Sequence, residues 1–200
     1  AGMLLGETTK EYTFESCGEK LDMAELQEIW ESKLEPVYPY RKAGPAVEKI
    51  NGSLTAPAAP KIGVAKPKVI IPVFPGTNCE YDTAKAFARA GADPEILVVR
   101  NLTPADVAES CEALVKAIDA SQIVMLPGGF SGGDEPDGSA KFIASFFRNP
   151  AVTEAVRRLL QQRDGLMLGI CNGFQALIKL GLVPYGDIRP ITACDPTLTF

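Results

Sequence analysis

"LMLGICNGFQALIKLGL", residues 166–182, changes character at a single residue. Up to Ile170 it is an apolar run of strand length, and from Asn172 it follows an amphipathic helical pattern. Cys171 sits at the join, with Gly169 and Gly173 two residues to either side. G-x-C-x-G between a strand and a helix is the thiol counterpart of the G-x-S-x-G nucleophile elbow. In that turn the nucleophile adopts a strained backbone, and its flanks must be small enough for the chain to fold back. A helix starting at Asn172 aims its first N–H groups and positive dipole end at the sulfur, which favours the thiolate. The Asn172 N–H also stands where one oxyanion donor is needed. A second donor can come from Gly128-Gly129, after "VMLP", where the lack of side chains lets a backbone N–H approach a substrate. An isolated cysteine reads more naturally as a small buried residue. Strand, elbow, helix and a second Gly-rich loop together overturn that reading.

Working outward, strands and helices alternate from Lys68 onward. "KVIIPVF" is an apolar strand, followed by a helix over about 80–90 that ends at Gly91. "EILVVR" is the second strand. Thr103 caps the next helix with Pro104 at its first position, and Val107, Cys111, Leu114, Val115 and Ile118 form its inward stripe. "QIVMLP" is the third strand, and the loop "GGFSGGDEPDG" follows it. Helices near 139–147 and 150–163 come next, the second with Val152, Val156, Leu159 and Leu160 inward. "GLMLGI" is the fourth strand. Strands this apolar are expected to be buried on both faces, which implies a parallel sheet between helix layers. The fold class is α/β: a doubly wound, mostly parallel sheet with helices on both faces, preceded by a small α+β segment and a linker. Ligands in such sheets bind outside the carboxyl ends of the strands. Three unusual loops lie there, "PGTNCE", "GGFSGGDEPDG" and the turn at Cys171, and they should converge on one site.

Residues 1–40 read as strand, turn and helix. "EYTFES" alternates, and "CGEK" is turn-like. Asp22 suits an N-cap with Glu25 at the third helical position, and Leu21 and Leu26 occupy the two places of a hydrophobic staple. Leu26, Ile29, Trp30 and Leu34 make an apolar stripe, closed off by Pro36 and Pro39. So small a piece cannot bury its apolar faces alone and reads as the edge of a larger body. Residues 41–67 are rich in Pro, Ala, Gly and Lys without periodicity, the composition of a linker. The third part is 68–200.

Composition narrows the function. The 200 residues are 46% apolar, enough for a core, and the net charge is −5. Arg157, Arg158 and Arg163 read as the solvated face of one helix rather than a basic patch. Nucleic acid and acidic membranes are therefore not expected partners. No apolar run reaches the roughly 18–20 residues needed to span a bilayer, and the N-terminus lacks signal-peptide character. Five cysteines at irregular spacing, without CxxC, argue against a disulfide framework and against zinc. A reducing cytoplasm is the expected location. Cys111 belongs to a helix core, and Cys17 and Cys194 sit in turn-like sequence; "GTNCE" can bring Cys79 near the site, but with no base or elbow beside it Cys79 reads as structural. Gly133 to Gly138 has phosphate-loop spacing, but Ser139 stands in place of the lysine. Asp134, Glu135 and Asp137 lack calcium-loop spacing and read as a solvated turn.

With these features in place, "GICNGFQ" resembles the nucleophile segment of class I glutamine amidotransferases, which follow G-x-C-x-G-x-Q. "FPGTNCEYDTAKAF" and "PGGFSGGDEPDGSAKF" narrow the resemblance to the glutaminase domain of the phosphoribosylformylglycinamidine synthase family, over about 68–190. Residues 1–40, with "WESKLEPVYP", resemble the tail of the synthetase part in versions where both activities share one chain. The resemblance implies a flavodoxin-like fold and a defined reaction in purine synthesis. Formylglycinamide ribonucleotide, glutamine, ATP and water give the amidine, glutamate, ADP and phosphate. By position, Cys171 is the nucleophile that attacks the glutamine carboxamide. Gly129 and Asn172 supply oxyanion N–H groups, with Gly128 in the same loop, and Gln175 helps shape the pocket. Ammonia passes through an internal tunnel to the synthetase part of the same polypeptide. That part carries ATP and magnesium; this one needs no cofactor or metal.

One departure bears on activity. The family uses a Cys-His-Glu triad, its His and Glu downstream of the elbow, and this sequence has no histidine. No side chain with an ordinary pKa near neutrality is then present to activate the thiol and protonate departing ammonia. There is no initiator methionine, and "TLTF" reads as the inside of a strand. The expectation is an excised piece of a longer enzyme, holding half a glutaminase site and inactive alone. The alternative is a non-catalytic binding or scaffold domain that keeps the elbow without its base. A different thiol hydrolase would need the same missing histidine.

Overall fold

The structure, a computed structural model, describes residues 2–39, 63–130, 140–196 and 198. Most of the 41–67 linker, the loop residues 131–139 with their glycines and acids, and all of "TLTF" but Leu198 lie outside the described residues. Contacts divide the chain into two compact units that meet in sequence between Leu54 and Thr55.

In the first unit, β1 (Thr13–Ser16) and β2 (Glu19–Asp22) form an antiparallel hairpin. Cys17 and Gly18 both have positive φ, 53° and 84°, the pairing whose twist suits a two-residue hairpin turn. The turn is therefore shorter than the "CGEK" expected: Glu19 and Lys20 pair with Ser16 and Glu15. Asp22 caps α1 (Met23–Ser32) as expected, accepting from the N–H groups of Ala24 at 2.8 Å and Glu25 at 3.2 Å. No residue of α1 is buried, and Ile29, Trp30 and Leu34 are widely exposed.

The second unit runs through β3 (Lys68–Val73), α2 (Glu80–Arg89), β4 (Asp93–Val98), α3 (Pro104–Ala120) and β5 (Ile123–Leu126). It continues with α4 (Lys141–Phe147), α5 (Pro150–Arg157), β6 (Leu166–Gly169), α6 (Asn172–Leu180) and the short α7 (Leu182–Tyr185). The four strands form one parallel sheet in the order β4-β3-β5-β6. Side chains alternate along the central strands. Val69, Ile71 and Met125 pack with Ala84 and Phe87 of α2 on one face. Ile70, Val124 and Leu126 pack against α3, α4, α5 and α6 on the other. Helices on both faces are what the sequence implied.

Burial on both faces holds for β3 and β5 alone. Among the described residues β4 and β6 are edge strands with partly exposed patterns, and Leu166, Leu168 and Ile170 are accessible along the β6 side. The ladder between β3 and β5 pairs Val69 with Ile123 and Ile70 with Val124, then stops. Two residues later comes Pro72, which has no N–H to donate, so the strand ends part there. This is where neighbouring connections leave in opposite directions, the switch point of a doubly wound sheet.

The α3 start is as read. Thr103 accepts from Asp106 N–H, Asp106 answers to Thr103 N–H, and Pro104 fills the first turn. Ser110 joins its buried stripe, accepting from Arg100 N–H at 2.9 Å. The three arginines are not a merely solvated face. The α5 helix ends in a π-helical turn, Arg158–Gln162, and Arg157, Arg158 and Arg163, in or beside that turn, reach separate partners. Arg157 binds Asp187 at 2.8 Å, Arg158 binds Asp119 at 2.8 Å, and Arg163 donates to the carbonyls of Ile118, Asp119 and Ser121 at the end of α3.

Candidate active site

Cys171 has φ 53° and ψ −110°, a conformation L-residues rarely adopt, at the junction of β6 and α6. Such strain persists only when neighbours over-determine it. Here Ile170 N–H donates to Leu126 O at 3.1 Å, Gly173 N–H to Ile170 O at 2.9 Å and Gln175 N–H to Cys171 O at 3.0 Å. The flanking glycines are required by space. A Cβ on Gly169 would stand 2.5 Å from the Gly173 carbonyl oxygen, and one on Gly173 would stand 2.0 Å from the Leu126 carbonyl oxygen. The thiol itself is exposed, and the first turn of α6 holds no acidic residue to oppose its dipole.

The Gly-rich loop after β5 lies against this turn. A Cβ on Gly128 would make ordinary 3.5 Å contacts with Cys171 Cβ and with Cys79 Sγ. Gly129 has φ 149°, and a Cβ there would meet the Gly76 carbonyl oxygen at 2.2 Å. Two bonds zip the loop to the one after β3: Asn78 N–H donates to Gly128 O at 3.0 Å, and Phe130 N–H donates to Gly76 O at 2.8 Å. They flank an isolated antiparallel bridge between Thr77 and Gly129. Among the described residues no acceptor takes the Gly129 N–H, which leaves it available to a bound oxygen. Beneath the loops, Phe74 packs edge-on against Phe142 and Phe146 of α4, with centroids 5.8 and 5.5 Å away.

The three loops expected to converge do so in the segments described. Cys171, Gly128, Gly129 and Asn172 come together around the elbow. The buried Asn172 side chain donates through Nδ2 to Gln175 Oε1 at 3.1 Å, so the motif's two amides meet. Cys111 is buried in the α3 core as read, and burial pushes its thiol pKa up. Cys79, on the "PGTNCE" loop expected at the site, is exposed and shares with Cys171 the space over Gly128. Among the described residues no three metal-binding side chains cluster, and no helix is long and apolar enough to cross a membrane.

The family model that matches this chain describes a CobB/CobQ-like glutamine amidotransferase domain and covers residues 66–200. Curated relatives include the phosphoribosylformylglycinamidine synthase subunit PurQ of Dehalococcoides mccartyi, 37% identical over 123 residues. That alignment covers 60% of this chain and 43% of the relative. The PurQ subunit of Cereibacter sphaeroides is 41% identical over 122 residues, covering 61% and 46%. Among solved structures, PurLQS from Thermotoga maritima matches with 28% identity and a TM-score of 0.39, over 58% of this chain and 45% of that one. The chain thus spans less than half the length of these relatives.

Proposed function

Since this chain belongs to the CobB/CobQ-like glutamine amidotransferase domain family, we propose that it is the glutaminase part of a phosphoribosylformylglycinamidine synthase, acting in purine biosynthesis in the cytoplasm. The observation that carries the reading is Cys171, exposed and held at positive φ between β6 and α6, with the Gly128-Gly129 loop against it. In this reading Cys171 Sγ attacks the carboxamide carbon of glutamine. The developing oxyanion takes hydrogen bonds from the main-chain N–H groups of Gly129 and Asn172, while the Asn172–Gln175 pair stiffens the pocket wall. The tetrahedral adduct collapses to a thioester as ammonia leaves, and water then releases glutamate. The names of the PurQ relatives support the choice among amidotransferases.

Both halves of acyl transfer need a proton carrier, and these 200 residues include no histidine. The proposal is therefore that the chain alone does not turn over glutamine, the base coming from residues outside it. Ammonia goes to a synthetase part that uses ATP and magnesium, and residues 1–40 are the tail of that part on the same polypeptide. The same absence of histidine favours a second reading, a scaffold domain that keeps the elbow without catalysis.

The enzyme carrying this segment separates the two. Under the glutaminase reading, Cys171→Ala abolishes glutamine-dependent amidine formation and leaves formation from ammonium salts intact. Retained glutamine-dependent activity would remove Cys171 from the chemistry, and loss of both activities would favour a structural role.

A further inference from the structure

We propose that Cys79 and Cys171 form a reversible disulfide across Gly128, with Cys79 acting as the resolving thiol when peroxide oxidises Cys171. The proposal goes beyond the glutaminase reading and does not depend on it, since it needs two accessible thiols and a path between them. Both are exposed. A Cβ on Gly128 would stand 3.5 Å from Cys79 Sγ and 3.5 Å from Cys171 Cβ, so those two atoms are no more than twice that distance apart. As a glycine, residue 128 contributes no side chain to the space between them.

The backbones on either side are held in place. Asn78 N–H bonds to Gly128 O, and Ile170 N–H bonds to Leu126 O, so the residues preceding each cysteine are both tied to the β5 end. Cys79 is the N-cap residue of α2, yet its side chain makes no capping bond and can turn toward Cys171. In the proposed bond, rotation about each Cα–Cβ bond together with a shift of the two loops brings the sulfurs to approximately 2.05 Å. Cys111 does not compete for either thiol, because it is buried in the α3 core.

The chemistry balances with hydrogen peroxide as the oxidant. The Cys171 thiolate attacks one peroxide oxygen, the O–O bond breaks, and a sulfenic acid and hydroxide form. The Cys79 thiolate then attacks the sulfenic sulfur. An S–S bond forms, the S–O bond breaks, and hydroxide leaves to take up a proton as water. Two thiols lose two electrons in all, and peroxide is reduced to two waters. A dithiol reductant reverses the product, whereas without a resolving thiol Cys171 continues to sulfinic and sulfonic acid.

The test uses the folded 200-residue chain, treated with hydrogen peroxide, alkylated and digested with trypsin without reductant. Trypsin releases Cys79 in peptide 69–85 and Cys171 in peptide 164–179. The expected product is these two peptides joined, two hydrogens lighter than their sum, and separated again by dithiothreitol. In Cys79→Ser the 164–179 peptide should instead gain two or three oxygens that dithiothreitol does not remove. Sulfinic or sulfonic acid at Cys171 to the same extent in both proteins would overturn the proposal, as would linkage of Cys171 to Cys17 or Cys194. If the serine variant fails to fold, the joined peptide in the unaltered protein decides alone. Labelling of Cys171 by a glutamine-like electrophile, run in parallel, reports on the glutaminase reading, so the two ideas fail separately.

Discussion

Gly173 presses on the main chain of Leu126: a Cβ added to it would stand 2.0 Å from the Leu126 carbonyl oxygen and 2.6 Å from the carbonyl carbon. Both are backbone atoms of the central sheet, so neither side can yield by a rotamer change. Gly173→Ala should destabilise the fold by about 3 kcal/mol, read as a lower urea midpoint. A midpoint equal to that of the unaltered protein would show that α6 can move away from β5.

Gly128→Ala is the contrasting case. Its added methyl meets only 3.5 Å contacts, and its φ is not one that excludes side chains. Stability should change by less than about 1 kcal/mol. The methyl nevertheless fills the space between the two thiols, so alkylation of Cys171 should slow and the disulfide with Cys79 should disappear. Unchanged alkylation would mean that reagents reach Cys171 from another side.

Thiol reactivity offers a direct reading of the site. Cys171 is exposed at the start of α6, whereas Cys111 is buried and its thiol pKa is raised by desolvation. Limited treatment with a glutamine-like electrophile should label Cys171 first, and Cys111 should react only after unfolding. Quantitative peptide mass spectrometry follows each site. Preferential labelling of Cys194 in folded protein would count against the assignment.

Acid should weaken one long-range clamp. The Arg157 guanidinium holds the Asp187 carboxyl below its ordinary value of 3.8. A carboxyl lowered on folding stabilises the fold fully above that ordinary value, and the contribution fades as pH falls through it toward the folded pKa. Both side chains are about a third exposed, so solvent screens the pair and its contribution is small. Asp187→Asn should therefore cost stability at pH 7 and little near pH 2. A constant difference across that range, measured in urea titrations, would show that the pair does not act through charge.

Much of this architecture could be read from local pattern. Thr103, Pro104 and Asp106 announced the start of α3, and Gly169, Cys171 and Gly173 announced the elbow, because each signal lies within a few residues. What escaped notice depends on distant partners. Arg158 looks solvated until Asp119 is placed beside it, and Arg163 until the α3 carbonyls are. β2 was hidden because its pairing requires a turn at Cys17 and Gly18, and cysteine is not a residue that advertises positive φ. The "PGTNCE" loop falls at the site by its strand end, but the seat of Cys79 over Gly128 depends on β3 lying next to β5. Strand order is a property of the whole sheet, and no stretch of sequence around residue 79 encodes it.

The accessible β6 edge also governs how this protein behaves in a tube. Leu166, Leu168 and Ile170 line a strand that, among the described residues, pairs on one side only. Unpaired main-chain groups beside apolar side chains make an adhesive rim that another molecule's strand can extend. Mutual repulsion from the net charge of −5 opposes that at neutral pH and weakens as carboxylates protonate. Turbidity should therefore rise with concentration and with mild acidification, before any loss of helical signal. Dilute, slightly alkaline, low-salt storage should accordingly keep the protein in solution.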